Sequence, residues 1–408
     1  MTDTASPVTG SAAGGCPFPA AHSLPTDGTP LTPSPTIARW REEAPATPLH
    51  YADGHEGWVV TGYDLARSVL EDPRFSQVPE RMPTATRPFV TEEDPLDDAA
   101  LAAMAANNLL SIDAPRHGEL RRAITSRFSV RAVRGHRETI QRIVAEQLEH
   151  LRAQGSPADL TRHFSERVST LIHAHVLGIP AQQVDRFVAL FMHESPVQQK
   201  YDFAREIVAG KADAPSDDVL GDLVASPLPR DTVEAVAFEL MSSGRDSVAY
   251  LISTATVALL THPEQLIRLR EDPALLPGAI EEFMRVGAMF LTLFPRTATE
   301  EVELNGTTFA AGDSVSVSPV GANHDPSRFA DPDTFDIERD AYGHLGFGHG
   351  LHSCVGQQLA RVEIGEAITQ LLAELPLLTL VDAEQLRPGS FAHPVATYRA
   401  GEVLVSWE

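Results

Sequence analysis

Apolar residues recur every three to four positions along most of the chain, which predicts a mainly α-helical protein. Helices are expected at Thr36 to Glu43, Ser68 to Asp72, Arg131 to Leu151, Arg162 to Leu177, Pro180 to Met192, Thr232 to Thr261, Pro263 to Glu271, Leu276 to Val286 and Gly356 to Leu375. Alternating, β-like runs are few. Gly57 to Tyr63 is one, the chain closes on another at Gly401 to Glu408, and Thr297 to Pro319 reads as a small hairpin set turning at Asn305-Gly306 and at Ala311-Gly312-Asp313. From Asn323 to Cys354 the periodicity vanishes over a passage too long to be a simple connector, and loops of that length usually carry function.

The sum is one large domain, mainly α with a small β part, and 43% hydrophobic residues over 408 positions are enough to bury its core. Residues 1–30 are Gly-, Pro-, Ser-, Thr- and Ala-rich and are expected to form a flexible tail, leaving 31–408 as the folded domain. The N-terminus lacks a basic start and an apolar run, and the longest apolar stretch is interrupted by Glu234, Glu239, Arg245 and Asp246. A cytoplasmic protein without a membrane anchor is therefore expected. A formal charge of −24 argues against a nucleic-acid partner. Two cysteines, Cys16 and Cys354, are too few for a disulfide scaffold or a four-sulfur zinc site.

Cys354 lies between a glycine-rich turn and the start of a long helix. Crowded backbone N–H groups and a helix N-terminus both favour a thiolate, which can ligate a metal. One sulfur cannot complete a zinc or iron–sulfur site, whereas haem brings four nitrogens of its own, so haem iron is the economical partner. A buried, inert cysteine is the alternative for an isolated Cys. The run Phe347-Gly348-His349-Gly350-Leu351-His352-Ser353-Cys354-Val355-Gly356 decides between them, because it closely resembles the F-G-x-G-x-H-x-C-x-G signature of the cytochrome P450 family. The resemblance implies a single-domain cytochrome P450 fold over 31–408 binding haem b, with Cys354 as the iron ligand, Phe347 packed near it under the haem, Gly348 as a further haem-binding residue and His352 at a propionate.

Further landmarks agree with it. Glu282 and Arg285 resemble the family's E-x-x-R pair, and Arg339 in FDIER falls where the third member of that buried network stands, a structural device. DAPRHGELRR is similar to the family's D-x-P-x-H-x-x-x-R segment, which makes His117 and Arg121 propionate partners, with Arg296 in FPRTAT as another. Gly244, Asp246 and Ser247 resemble the distal A-G-x-D/E-T segment, in which glycine relaxes the helix, the acid relays protons and the hydroxyl steadies dioxygen, the co-substrate. Ser243 replaces the usual Ala and Ser247 the usual Thr, so the hydroxyl has more χ1 freedom.

The resemblance implies a monomeric oxidase of a small natural product, fed by ferredoxin and ferredoxin reductase because no dinucleotide fingerprint follows a strand. Arg121, Arg122 and Arg361 are candidates for docking ferredoxin, and Ser195, Gln198, Gln199 and His393 for binding an amide-bearing ligand. Ser243 to Val248 looks somewhat like members acting on tryptophan-containing cyclodipeptides, by hydroxylation or radical coupling. A peroxide-driven oxidase and a non-enzymatic haem-thiolate sensor or carrier are the competing readings.

Overall fold

The computed structural model describes residues 21–51, 54–78, 94–382, 387–388 and 396–408. Sixteen α-helices and thirteen short strands are found among the described residues. The helix Arg245–Thr261 runs through the centre with every residue from Val248 to Leu259 buried, as expected of a helix apolar on all sides. It packs on Glu166–Leu177, Leu276–Val286 and Gln357–Glu374, and this helical body forms most of the core. No helix among the described residues is long and apolar enough to cross a membrane.

The β part lies to one side. Its largest sheet has the order Ala46–His50, Glu56–Val60, Ser314–Val317, Arg296–Ala298, Phe75–Ser76. Only the pair Glu56–Val60 with Ser314–Val317 is parallel in this sheet, with Trp58 opposite Val315. The expected hairpin at Asn305-Gly306 forms between Val302–Leu304 and Thr307–Phe309, and Asn305 and Gly306 both take positive φ. The sheet carries Arg296 to the interior side of the fold, where it is 4% exposed.

Several elements depart from the pattern. The expected helix Thr232 to Thr261 is two helices, Arg230–Ser242 and Arg245–Thr261, parted at Gly244 with φ +91°. Arg131 to Leu151 is likewise divided at His136 into Val130–Gly135 and Arg137–Arg152. Helices Asp98–Asn107 and Val197–Asp213 were not expected. Part of the reason is a cap supplied from afar, since both oxygens of Asp94 lie 2.9 Å from the Val197 N–H, 103 positions away. Ordered pairing also begins before residue 31: the His22 N–H donates to the Pro48 carbonyl and the His50 N–H to that of His22.

Candidate active site

The cysteine turn is built by backbone geometry. Gly348 and Gly350 take φ of +67° and +71°, and a Cβ on Gly350 would lie 2.5 Å from the Leu70 carbonyl oxygen, so that position has no room for a side chain. The Cys354 N–H donates to the Phe347 carbonyl at 2.9 Å, closing the loop immediately before the helix Gln357–Glu374. Cys354 is exposed along one side, yet enough protein crowds the sulfur that burial pushes its thiol up. The Gly356 N–H, Arg121 and Arg361 oppose that rise without overcoming it. A metal cation bound to the sulfur would add to these groups in favouring the thiolate.

Beside the cysteine, four nitrogen-bearing side chains from three distant segments meet. Arg121 donates to the Ser353 carbonyl at 2.5 Å, and the His117 and His352 rings stand 4.4 Å apart. His352 Nδ1–H donates to the Leu109 carbonyl at 3.2 Å. Burial depresses His117 to about 4, with Arg121 adding to it, and His352 to about 3, with Arg296 adding to it. Burial also lowers Arg296 to about 10. His117 Nδ1 and Arg296 Nε are buried with no hydrogen-bond partner. Asp113 is the carboxylate that offsets this charge, and it already accepts from the Ser76 hydroxyl and the Gln77 N–H. A set of donors with unspent N–H groups and too little negative charge fits a group carrying two carboxylates, as haem does.

Glu282, Arg285 and Arg339 come together as a network. Glu282 and Arg285 are both fully buried and bidentate at 2.7 and 2.8 Å, with Arg339 Nε 3.3 Å from Glu282. Arg285 also donates to the carbonyls of Asn323 and Pro332, and Asn323 in turn receives the Leu345 N–H. The network thus braces the cysteine loop from below.

A second brace was not legible in the sequence. Glu281 receives both arms of Arg361 at 2.5 and 2.9 Å and lies 3.3 Å from His344. Burial would push Glu281 up, but Arg361 and His344 outweigh it and hold the carboxyl at about 2. Arg361 also lies over the Phe347 ring at 4.7 Å. Arg361 is therefore not a free surface cation as a docking role would require, and Arg121 is tied to the loop carbonyls, leaving Arg122 exposed.

On the other side, Ser247 Oγ donates to the Gly244 carbonyl at 2.9 Å, while Asp246 turns outward, 64% exposed and paired with Arg245 at 2.5 Å. Ser242 Oγ, Ser243 Oγ and Arg245 Nε are buried and unpartnered around the break. One turn earlier, Glu239 accepts the Leu109 N–H at 2.8 Å and is pushed by burial up to about 8. Glu239 thus ties the distal segment to Leu109, the residue that also receives His352. Its only signal in the sequence is a carboxylate within an apolar run. Gln198 is engaged with Asp97 and Asp202, and His393 lies outside the described residues.

The cytochrome P450 family profile matches residues 181–390. Cytochrome P450 105C1 of a Streptomyces species is 34% identical over 380 residues, covering 90% of this chain and 93% of its own. The chain is a cytochrome P450. Among curated relatives, 6-deoxyerythronolide B hydroxylase of Saccharopolyspora erythraea is 34% identical over 86% of this chain and 91% of its own. Among solved structures, cytochrome P450 MoxA of Nonomuraea recticatena superposes with a TM-score of 0.83 at 29% identity, over 95% of this chain and 99% of that one. This cytochrome P450 is a haem-thiolate monooxygenase of the bacterial secondary-metabolite type, using haem b and dioxygen.

Proposed function

We propose that this cytochrome P450 oxidises an aromatic cyclodipeptide, by hydroxylation or by radical coupling, as a cytoplasmic monomer receiving electrons from ferredoxin and its reductase. The observation that carries the site assignment is the convergence of Cys354 with His117, Arg121, Arg296 and His352, two of which keep unpartnered buried nitrogens. In this reading Cys354 ligates the iron and the four cations and donors hold the propionates. Phe347 and Gly348 form the floor. Haem held there activates dioxygen with two electrons and two protons.

The chain's own residues do the rest. Ser247 holds a hydroxyl proton against the Gly244 carbonyl, Asp246 exchanges protons with solvent, and the Glu282, Arg285, Arg339 network keeps the cysteine loop rigid. What supports the substrate class is the likeness of the Ser243 to Val248 segment to members acting on tryptophan-containing cyclodipeptides.

The test is a carbon monoxide difference spectrum of the reduced protein in wild type and Cys354→Ala, followed by titration with aromatic cyclodipeptides. A Soret band near ~450 nm in wild type only is expected, then a spin-state shift with substrate. A band that survives in Cys354→Ala refutes the ligand assignment, and turnover with peroxide but not with ferredoxin refutes the electron source.

A further inference from the structure

The break between Arg230–Ser242 and Arg245–Thr261 leaves a carbonyl without its helical donor. The Ser243 N–H still reaches Glu239 at 2.9 Å, but Gly244, at φ +91° and ψ −37°, has left the helix, so Leu240 loses the N–H that would complete its turn. His173 replaces it. This residue, on the helix Glu166–Leu177, donates Nε2–H to the Leu240 carbonyl at 2.7 Å. A carbonyl only accepts, so the tautomer is set by the contact. The same ring lies against Gly244, since a Cβ there would be 3.5 Å from His173 Cε1 and 3.8 Å from Nδ1.

One turn earlier on the same helix, Ser169 Oγ donates to the Arg245 carbonyl at 2.7 Å. Residues four apart share a helix face, so Ser169 and His173 grip the chain on both sides of Gly244. The stripe continues toward the helix start, where Ser165 and Thr161 share the Ser253 hydroxyl at 2.9 and 3.0 Å. Ser247 depends on this arrangement, because its hydroxyl donates to the carbonyl of Gly244 itself.

We propose that His173, with Ser169, is a positioning residue for oxygen activation: the imidazole substitutes for the missing helical N–H, holds the distal break at Gly244 and so fixes where the Ser247 hydroxyl sits. The inference rests on the distal reading of Gly244 and Ser247 given above. Burial keeps His173 neutral near pH 7, its ordinary value being lowered to about 4, so the clasp works as a fixed donor. The Phe187 ring stacks on it at 6.4 Å and restrains its orientation.

The test compares holoprotein wild type, His173→Leu, His173→Gln and Ser247→Ala by amide hydrogen exchange across residues 240–250 and by the share of electrons recovered as hydrogen peroxide. In His173→Leu the exchange pattern at 240–250 should change and product per electron pair should fall roughly tenfold, the scale of a small misplacement of a catalytic group. His173→Gln, which restores an N–H at a similar reach, should recover most of both. An unaltered exchange pattern in His173→Leu overturns the clasp. Altered exchange with unaltered coupling overturns the positioning role. If Ser247→Ala also leaves coupling unaltered, it is the distal reading that has failed.

Discussion

Replacing Glu282 by Gln tests the brace beneath the cysteine loop most directly. Glu282 and Arg285 are 0% exposed, so Glu282→Gln removes one charge and leaves the other buried. The Gln amide oxygen can still take the Asp336 N–H, which Glu282 Oε1 receives at 3.0 Å. Its NH2 group, however, must face Arg285 Nε or Nη2, donor against donor. Three carbonyls, of Asn323, Pro332 and Thr334, remain to solvate Arg285, which prevents complete collapse. Breaking a buried pair in this way costs about 3–5 kcal/mol. With an unfolding entropy of roughly 0.9 kcal/mol/K for a chain of this length, the melting temperature should drop by about 4–6 °C. Haem retention should fall too, because Arg285 is linked through Asn323 to the Leu345 N–H, two residues before Phe347. The assay is thermal unfolding of the holoprotein together with the carbon monoxide spectrum. Arg339→Lys serves as the milder control, as Arg339 is 11% exposed and its contact with Glu282 is the longer one. A Glu282→Gln protein melting within about 1 °C of wild type with full haem content would refute the argument.

Three further outcomes are expected. Glu239 has its pKa raised from 4.5 to about 8, so its protonated form is the stable one: stability is fully present below the unfolded value and is lost as pH rises through about 8, by up to ~5 kcal/mol. Urea unfolding of Glu239→Gln at pH 5 and pH 8.5 should therefore show a flatter pH dependence than wild type, and equal slopes would contradict it. Glu281, lowered from 4.5 to about 2, behaves in the opposite sense: its contribution of ~3 kcal/mol is present above the unfolded value and is lost as pH falls through about 2. Arg361→Met should abolish most of it, read as acid-unfolding midpoints that move up relative to wild type. Gly350→Ala should cost at least ~1–3 kcal/mol, because φ +71° strains a side chain and the Leu70 carbonyl occupies its place; an unchanged melt would remove that steric argument.

Much of this protein was legible in the chain alone. Helical spacing identifies the mainly α architecture, Asn305-Gly306 marks its hairpin, and the cysteine run with its flanking glycines points to a haem ligand, because these features are local and answer to backbone geometry and side-chain period. Residues 282 and 285 are likewise one helical turn apart and visible as a pair.

What the tertiary structure decided is whatever depends on partners far along the chain. Apolar content carries helical periodicity straight through Gly244, and a single glycine costs only about 1 kcal/mol in a helix, so nothing local demands a break. At the break His173, some 70 positions away, satisfies the Leu240 carbonyl that parting the helix releases, and Ser169 holds the chain just beyond it at the Arg245 carbonyl. Arg361 reads as a surface cation until Glu281 and His344, brought by two other segments, enclose it. The helix Val197–Asp213 starts on a cap that Asp94 provides. Burial by the assembled fold likewise raises the Cys354 thiol, a contribution that no local pattern in the chain announces.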